Sequence, residues 1–139
     1  IRNADGKEKA KAIADEMKAT MFDHVGVFRT EEGMQQALDK IRELKQRYKH
    51  VRPDDMGHLY NTDILNVWEL GNLLDLAEVT TVSALARKES RGAHARDDYT
   101  ERDDENWLKH TLAWMEGDEI RLDYKDVVFT KYEPKKRVY

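Results

Sequence analysis

Residues 61–88 read NTDILNVWELGNLLDLAEVTTVSALARK, a stretch in which apolar side chains recur on nearly every side of a predicted helix. Asn61 or Thr62 can cap the start of this helix, which we expect to run to about Lys88. A helix that is apolar on most sides must be covered on several of them, so this stretch predicts a mainly α-helical protein built around it. We expect three of its side chains in the core: Trp68, Leu73 and Leu74.

Two amphipathic helices are predicted before this stretch. The first spans Asp5 to about His24, and the second follows Thr30, a residue whose side chain can cap a helix, and continues through Lys49. Because short connections favour antiparallel neighbours, we predict an antiparallel three-helix bundle. The side chains at helical spacing are Ile13, Met17 and Met21 in the first helix, and Met34, Leu38, Ile41 and Tyr48 in the second.

A charged loop and a small β-hairpin are predicted after the helices. Residues 89–106 carry seven acidic and three basic side chains and only three apolar ones, so they have no core of their own. Alternating apolar and polar residues on both sides of Gly117 then predict a hairpin with one buried face. That face is assigned to Leu108, His110, Leu112 and Trp114 in the first strand and to Ile120, Leu122 and Tyr124 in the second. A basic tail with Lys131, Lys135, Lys136 and Arg137 is predicted to be extended.

The composition excludes several classes of function. The 139 residues include 24 basic and 28 acidic ones, a net charge of -4 that is too mild and too mixed to indicate binding to nucleic acid or to an anionic membrane surface. The absence of Cys excludes disulfides, thiol chemistry and Cys-ligated metal centres. Glu69, Asp75 and Glu78 interrupt the longest apolar stretch, so we predict no transmembrane span.

No self-sufficient active site is apparent. The seven glycines form no phosphate-binding loop, and no two of the five histidines lie three or four residues apart, as metal-binding histidines on a helix often do. Ser90 with His94, Asp97 and Asp98 has the composition of a catalytic triad, but a polar loop is the favoured interpretation. Similarly, a solvated loop is favoured over acid–base catalysis for the acidic residues 97–105. We therefore predict no catalytic, cofactor-binding or metal-binding residue.

The stretch 87–97 alternates in charge directly after the third helix and has two interpretations. Such a stretch suits paired charges across an interface, and it equally suits an exposed loop. Because surface ion pairs contribute little on average, composition alone slightly favours the exposed loop.

Four runs resemble one enzyme family. Residues 86–96, ARKESRGAHAR, resemble the C-terminal domain of the succinate dehydrogenase and fumarate reductase flavoprotein subunits. YNTD at 60–63, ERDDENWLKHTLA at 101–113 and PKKRVY at 134–139 resemble the same family in the same order. The run containing ESRGAH is also similar to L-aspartate oxidase, whereas residues 101–113 are more specific to the succinate and fumarate enzymes. The ending and residues 100–104 lean towards fumarate reductase.

The resemblance implies an oxidoreductase that interconverts succinate and fumarate at a covalently bound FAD. Its implied partners are the FAD-binding and capping domains of the same subunit and an iron–sulfur subunit. A membrane anchor would hold the complex at the cytoplasmic face of the cell membrane, or at the matrix side in mitochondria. The family's flavin and substrate motifs lie upstream of the helical domain and have no counterpart in residues 1–139. This chain would then be an inactive fragment that buttresses those domains, and its start without Met favours this interpretation.

The resemblance also places the stretch 87–97 at a junction with the rest of the subunit, and it favours docking over an exposed loop. A partner surface would supply the counter-charges that order the loop. We expect one C-terminal domain, with a helical bundle in residues 1–88 and the loop, hairpin and tail in residues 89–139. The alternatives are the C-terminal domain of L-aspartate oxidase or a free-standing helical interaction module. The candidate interdomain docking residues are Arg87, Glu89, Ser90, Arg91, His94 and Arg96.

Overall fold

The computed structural model describes residues 5–132 and 134–135, which form three helices and two small sheets. The helices are α1 (Ala10–Val25), α2 (Glu31–Tyr48) and α3 (Thr62–Ala86), and a parallel pair is formed by β1 (Phe28–Arg29) and β2 (Ala95–Arg96). An antiparallel hairpin is formed by β3 (Lys109–Glu116) and β4 (Glu119–Asp126). The predicted three helices and hairpin are therefore confirmed, whereas the parallel pair was not anticipated.

The N-terminal ends of α2 and α3 lie where the sequence predicts them. The Thr30 hydroxyl accepts a hydrogen bond from the backbone N–H of Gly33 at 3.1 Å. The Asn61 side chain likewise accepts one from the backbone N–H of Ile64 at 2.9 Å. These bonds satisfy N–H groups that have no partner within the helix, which is why both helices start there.

Helix α1 begins later than predicted, at Ala10 rather than Asp5. The segment before it pairs with the chain that follows α2. The backbone N–H of Glu8 donates to the carbonyl of His50 at 3.2 Å, and that of Arg52 donates to the carbonyl of Glu8 at 3.1 Å. This pairing draws the segment out of the helical path and satisfies its backbone groups outside α1.

The core lies between the three helices. One cluster of buried side chains draws on all of them, and a second, smaller one joins the C-terminal end of α1 to the start of α2 and the end of α3. Cross-helix contacts move backwards along α3 as they move forwards along α2, since Arg42 pairs with Glu78 and Tyr48 with Val67. The main cluster is Ile13, Met17, Ile41, Leu44, Val51, Val67, Leu70, Leu74 and Ala77, and the second is Val25, Met34, Ala37 and Ala84.

Leu74 is buried as predicted, but the prediction was wrong for Trp68 and Leu73. The exposed fractions of these two side chains are 55% and 47%. Helices α1 and α2 bury the stripe of α3 that contains Val67, Leu70 and Leu74 and leave other apolar side chains of α3 open to solvent. The apolar composition of α3 indicated that several of its sides would be buried. It could not show that the described part of the chain buries mainly one stripe of this helix.

Helices α2 and α3 approach closely at a glycine. The Tyr48 hydroxyl donates a hydrogen bond to the backbone carbonyl of Val67, 2.9 Å away. A Cβ atom on Gly71 would lie 2.6 Å from that hydroxyl oxygen, well inside van der Waals contact. Although glycine in a helix costs about 1 kcal/mol relative to alanine, here it makes room for the phenol ring.

The hairpin has the predicted turn, but the predicted inward face of its first strand was wrong. The residues opposite Tyr124, Leu122 and Ile120 are Thr111, Ala113 and Met115. Because opposed residues lie on one face, Ile120, Leu122 and Tyr124 share theirs with odd-numbered residues of β3 and not with His110, Leu112 and Trp114. Gly117 has a φ of 67° in the two-residue turn, and this turn sets the register.

Residues 127–132 and 134–135 belong to no helix or strand. Lys131 and Lys135 of the predicted basic tail fall within them, whereas Lys136 and Arg137 lie outside the described residues.

Across the part of the chain that the structure describes, none of the helices is both long and apolar enough to cross a membrane.

Candidate docking site

Arg96 is the most deeply buried charged side chain of the predicted docking stretch apart from Glu89, with 1% of its surface exposed. Its guanidinium donates to both carboxylate oxygens of Asp98, at 2.7 and 2.6 Å. The remaining terminal nitrogen donates to backbone carbonyls at the end of α3, the shortest bond being 3.0 Å to Leu85. The last turn of α3 contains no basic residue, so Arg96 supplies the positive charge that favours a helix C-terminus.

Asp98 completes a link between two helix ends. Its carboxylate accepts a hydrogen bond from the backbone N–H of Glu31, the first residue of α2, at 2.9 Å. The hydrogen bonds from Arg96, together with this backbone bond, lower the pKa of Asp98 to about 2 despite partial burial. A cation therefore lies at the negative end of α3 and an anion at the positive end of α2, and the two are joined by a bidentate ion pair.

Glu89 is a fully buried carboxylate with 0% of its surface exposed. It accepts hydrogen bonds from the guanidinium of Arg87 at 2.5 Å, from that of Arg91 at 2.9 and 3.0 Å, and from the backbone N–H of Asp103 at 2.9 Å. Burial raises the pKa of Glu89, but these hydrogen bonds outweigh burial and hold the pKa below its usual value. Two cations and one backbone donor thus compensate the cost of burying this charge.

Ser90 links distant parts of the loop through its hydroxyl group. Its hydroxyl accepts a hydrogen bond from the backbone N–H of Arg96 at 2.8 Å and donates one to the carbonyl of Tyr99 at 2.7 Å. The backbone N–H of Ser90 also donates to the carbonyl of Glu101 at 3.0 Å. The Ser90 hydroxyl thus both donates to and accepts from backbone groups, so it stabilises the loop. It makes no hydrogen bond to a general base among the described residues, which an activated nucleophile requires.

His94 joins the loop to the connection between α1 and α2. A guanidinium only donates, so the 2.8 Å bond from Arg29 makes His94 Nδ1 an acceptor. The proton then lies on Nε2, which donates to the backbone carbonyl of Arg87 at 3.1 Å. Burial, and after it the nearby arginine charges, lower the pKa of His94 below its usual value, despite the hydrogen bond to the carbonyl. His94 is therefore held as a neutral imidazole among cations.

An open groove of about 560 Å³ lies beside this network. In its lining, the indole of Trp107 contacts two cations, with the guanidinium carbon of Arg87 5.3 Å and the ammonium of Lys109 5.0 Å from its ring centre. Lys109 also lies 4.6 Å from the ring centre of Tyr124. The groove is thus lined by arginine, lysine and aromatic side chains, and arginine and aromatic residues are enriched in surfaces that bind proteins. Its lining includes Arg87, Arg91, His94, Trp107, Lys109 and His110.

The structure brings all six candidate docking residues into one network, but it divides them by exposure. Glu89 and Arg96 are buried, whereas Arg87, Arg91 and His94 also line the groove. The counter-charges that we expected from a partner surface are found within the chain, on Glu89, Asp98 and Asp104. Sequence reasoning missed the contribution of Arg29, which no local pattern could reveal because it lies 65 residues from His94.

The network does not resemble a metal site. Among residues 5–132 and 134–135, no group of three or more His, Asp or Glu side chains converges in a way that could hold a metal ion. The carboxylates of the network are instead saturated by guanidinium groups. Chemically, the arrangement fixes the shape of a loop and presents cations at its surface.

Comparison with known proteins identifies the family. A model described as the C-terminal part of the fumarate reductase flavoprotein matches residues 14–139. The fumarate reductase flavoprotein subunit of Escherichia coli (strain K12) is 51% identical over 140 residues, which cover 99% of this chain and 23% of that protein. The succinate dehydrogenase flavoprotein subunit of Rickettsia conorii is 43% identical, with 100% of this chain and 25% of that protein covered.

A solved structure agrees with the sequence comparison. The flavoprotein chain of a variant of E. coli quinol fumarate reductase superposes with a TM-score of 0.93 at 50% identity, covering 99% of this chain and 24% of that one. The chain thus spans about a quarter of the length of the relatives that it matches. We conclude that it belongs to the fumarate reductase and succinate dehydrogenase flavoprotein family and corresponds to the C-terminal domain of those subunits.

Proposed function

We propose that this chain is the structural C-terminal domain of an enzyme that interconverts succinate and fumarate with FAD. The observation that carries the proposal is the family match across residues 14–139, together with about 50% identity to fumarate reductase subunits. The flavin and substrate sites would lie in the part of the polypeptide outside these residues. The domain itself would buttress them, which accords with a site whose charged groups bind one another.

We extend the proposal to the assembly of the parent protein. It would bind FAD, and its partners would be the FAD-binding and capping domains of the same subunit and an iron–sulfur subunit. The resemblance to a quinol fumarate reductase supports a location at a membrane, on the cytoplasmic face or the mitochondrial matrix side. L-aspartate oxidase is the less favoured parent, because the relatives compared above are fumarate reductase and succinate dehydrogenase subunits.

The architecture that we propose for the domain is an antiparallel three-helix bundle in residues 1–88, with the charged loop, hairpin and tail in residues 89–139 as part of the same unit. The opposite progression of contacts along α2 and α3 supports the antiparallel arrangement. Arg87 supports the single unit, since its guanidinium at the end of α3 donates to the carbonyls of Trp107 and Lys109 beside the hairpin.

The six candidate residues would have two roles in docking. Glu89, Ser90 and Arg96 bind groups within the loop, so they would set its shape. Arg87, Arg91 and His94 line the groove and would contact the rest of the subunit. Such a division matches interfaces in which buried ion pairs fix one partner's surface before association.

The proposed enzyme activity is tested by comparing the full-length subunit with residues 1–139 alone. Absorbance and fluorescence titrations would measure bound flavin, and a dye-coupled assay would measure succinate oxidation. We expect flavin and turnover in the full-length subunit only. Flavin binding by residues 1–139, or a correctly folded full-length subunit without flavin or turnover, would contradict the proposal.

The docking role is tested with Arg91→Gln and His94→Gln, made separately in the full-length subunit. Both variants should lower flavin retention and turnover. Arg121→Gln is the matched control, because Arg121 is an exposed arginine paired with Glu116 on the hairpin. Normal flavin content and turnover in both variants would show that the groove is an ordinary surface.

A further inference from the structure

Three exposed apolar side chains lie where α1 ends and β1 begins. The exposed fractions of Phe22, Val27 and Phe28 are 82%, 66% and 72%. Single exposed apolar side chains are normal on protein surfaces, but two phenylalanines and a valine within seven residues of the chain are an unusual concentration, and concentrations of exposed apolar surface mark interaction sites. None of the six candidate docking residues is among these three.

Backbone and side-chain hydrogen bonds join the segment that carries Phe28 to the candidate docking loop. In the parallel pair of β1 and β2, Phe28 lies opposite Ala95 and Arg29 opposite Arg96. The backbone N–H of Asp97 donates to the carbonyl of Arg29 at 2.9 Å, and the side chain of Arg29 binds His94. The backbone pairing and the side chain of Arg29 therefore hold Phe28 next to the candidate docking loop.

We propose that Phe22, Val27 and Phe28 form an apolar docking surface, continuous with the charged loop, for the rest of the same polypeptide. Protein interfaces combine an apolar centre with a polar rim, and here the two parts lie side by side. The relatives supply the occupant, since more than three quarters of their length lies outside the region that this chain covers. The inference rests on the proposed function, and it adds an apolar element that the six charged and polar candidates lack.

The experiment uses the full-length flavoprotein subunit with p-benzoylphenylalanine, a photocrosslinking amino acid, in place of Phe28. The matched control has the same crosslinker in place of Leu59, which is 83% exposed and precedes α3, at the opposite end of the helices from Phe28. After irradiation, mass spectrometry identifies the peptide joined to each position. We expect position 28 to crosslink to a peptide from outside residues 1–139 of the same polypeptide, in clearly higher yield than position 59.

A crosslink from position 28 to another subunit or to a second copy of the chain would overturn the proposal, as would a yield no higher than that of the control. A second variant tests energetics: Phe28→Glu should lower the thermal midpoint of the full-length subunit by about 2 °C or more, and Leu59→Glu should not. Equal midpoints for the two variants would overturn the proposal. Failure of the proposed function is distinguishable, because a subunit without flavin or succinate turnover could still form the intramolecular crosslink.

Discussion

Arg96 and Asp98 form a bidentate ion pair that joins the C-terminal end of α3 to the N-terminal end of α2. The two residues are only two positions apart, yet they connect helix ends that are more than fifty residues apart in the sequence. Each charge has the sign that its helix end favours. The pair therefore stabilises the helices and the loop together.

Replacing Arg96 should be strongly destabilising. Arg96→Ala leaves Asp98 without its main partner and frees backbone carbonyls at the end of α3, so we expect a loss of about 2 to 4 kcal/mol, reduced somewhat because Asp98 is partly exposed. Urea denaturation of the 139-residue chain measures this loss. Lys11→Ala is the control, since its pair with Asp15 is exposed and should contribute less than about 1 kcal/mol. Equal losses in the two variants would contradict the prediction.

The same pair predicts how stability depends on pH. The pKa of Asp98 is about 2 in the folded chain, against an ordinary value of 3.8, so the unfolded chain binds the proton more readily. The stabilisation is complete above pH 3.8 and is lost as the pH falls towards 2. In Asp98→Asn, the free energy of unfolding should be lower at neutral pH and should depend less steeply on pH in this window. An unchanged slope, measured by urea denaturation at several pH values, would count against the ion pair.

His94 should remain neutral with its proton on Nε2. Because its pKa is lowered in the folded chain, acid favours the unfolded state, and stability should decrease as the pH falls below 6.5. Long-range ¹H–¹⁵N correlation spectra of the imidazole distinguish the two tautomers directly. A proton on Nδ1 at neutral pH would be incompatible with the hydrogen bond from Arg29. His24 provides an internal reference as a histidine outside this network.

Two neighbouring leucines should differ sharply in their contribution to stability. Leu74 is buried in the main core cluster, so Leu74→Ala should cost about 2 to 5 kcal/mol. Leu73 is half exposed, and Leu73→Ala should cost less than about 1 kcal/mol in the same chain. Chemical denaturation of both variants checks the difference. Comparable losses would place Leu73 in the core after all.

Local features of the fold could be predicted from the sequence, whereas coverage by distant segments could not. Thr30 was identified as a cap and Asn61 as one of two candidates, with Thr62, because a cap acts within four residues. Trp68 and Leu73 were wrongly expected in the core because burial depends on which elements pack against α3. The hairpin was predicted from its alternation, but the shared face of its strands depends on register, and a change of one residue reverses it.

The candidate site was located in part. The stretch 87–97 was recognised as a set of alternating charges, but its pairings depend on three-dimensional positions that spacing does not encode. Glu89 accepts a hydrogen bond from the backbone N–H of Asp103. His94 accepts one from Arg29, which lies in the connection between α1 and α2. We expected the counter-charges to come from a partner surface, but the structure shows them on carboxylates within the chain. The role of the six residues in docking stays a prediction.

The contact between Tyr48 and Gly71 has an evolutionary consequence. A side chain at position 71 would occupy the space of the phenol oxygen, so substitution of the glycine requires a smaller residue at position 48 or a wider separation of α2 and α3. Conversely, losing the aromatic ring leaves a gap that alanine or serine at position 71 could fill with better helix propensity. Across homologous subunits, the two positions should co-vary as a matched pair, even though 23 residues separate them in the chain.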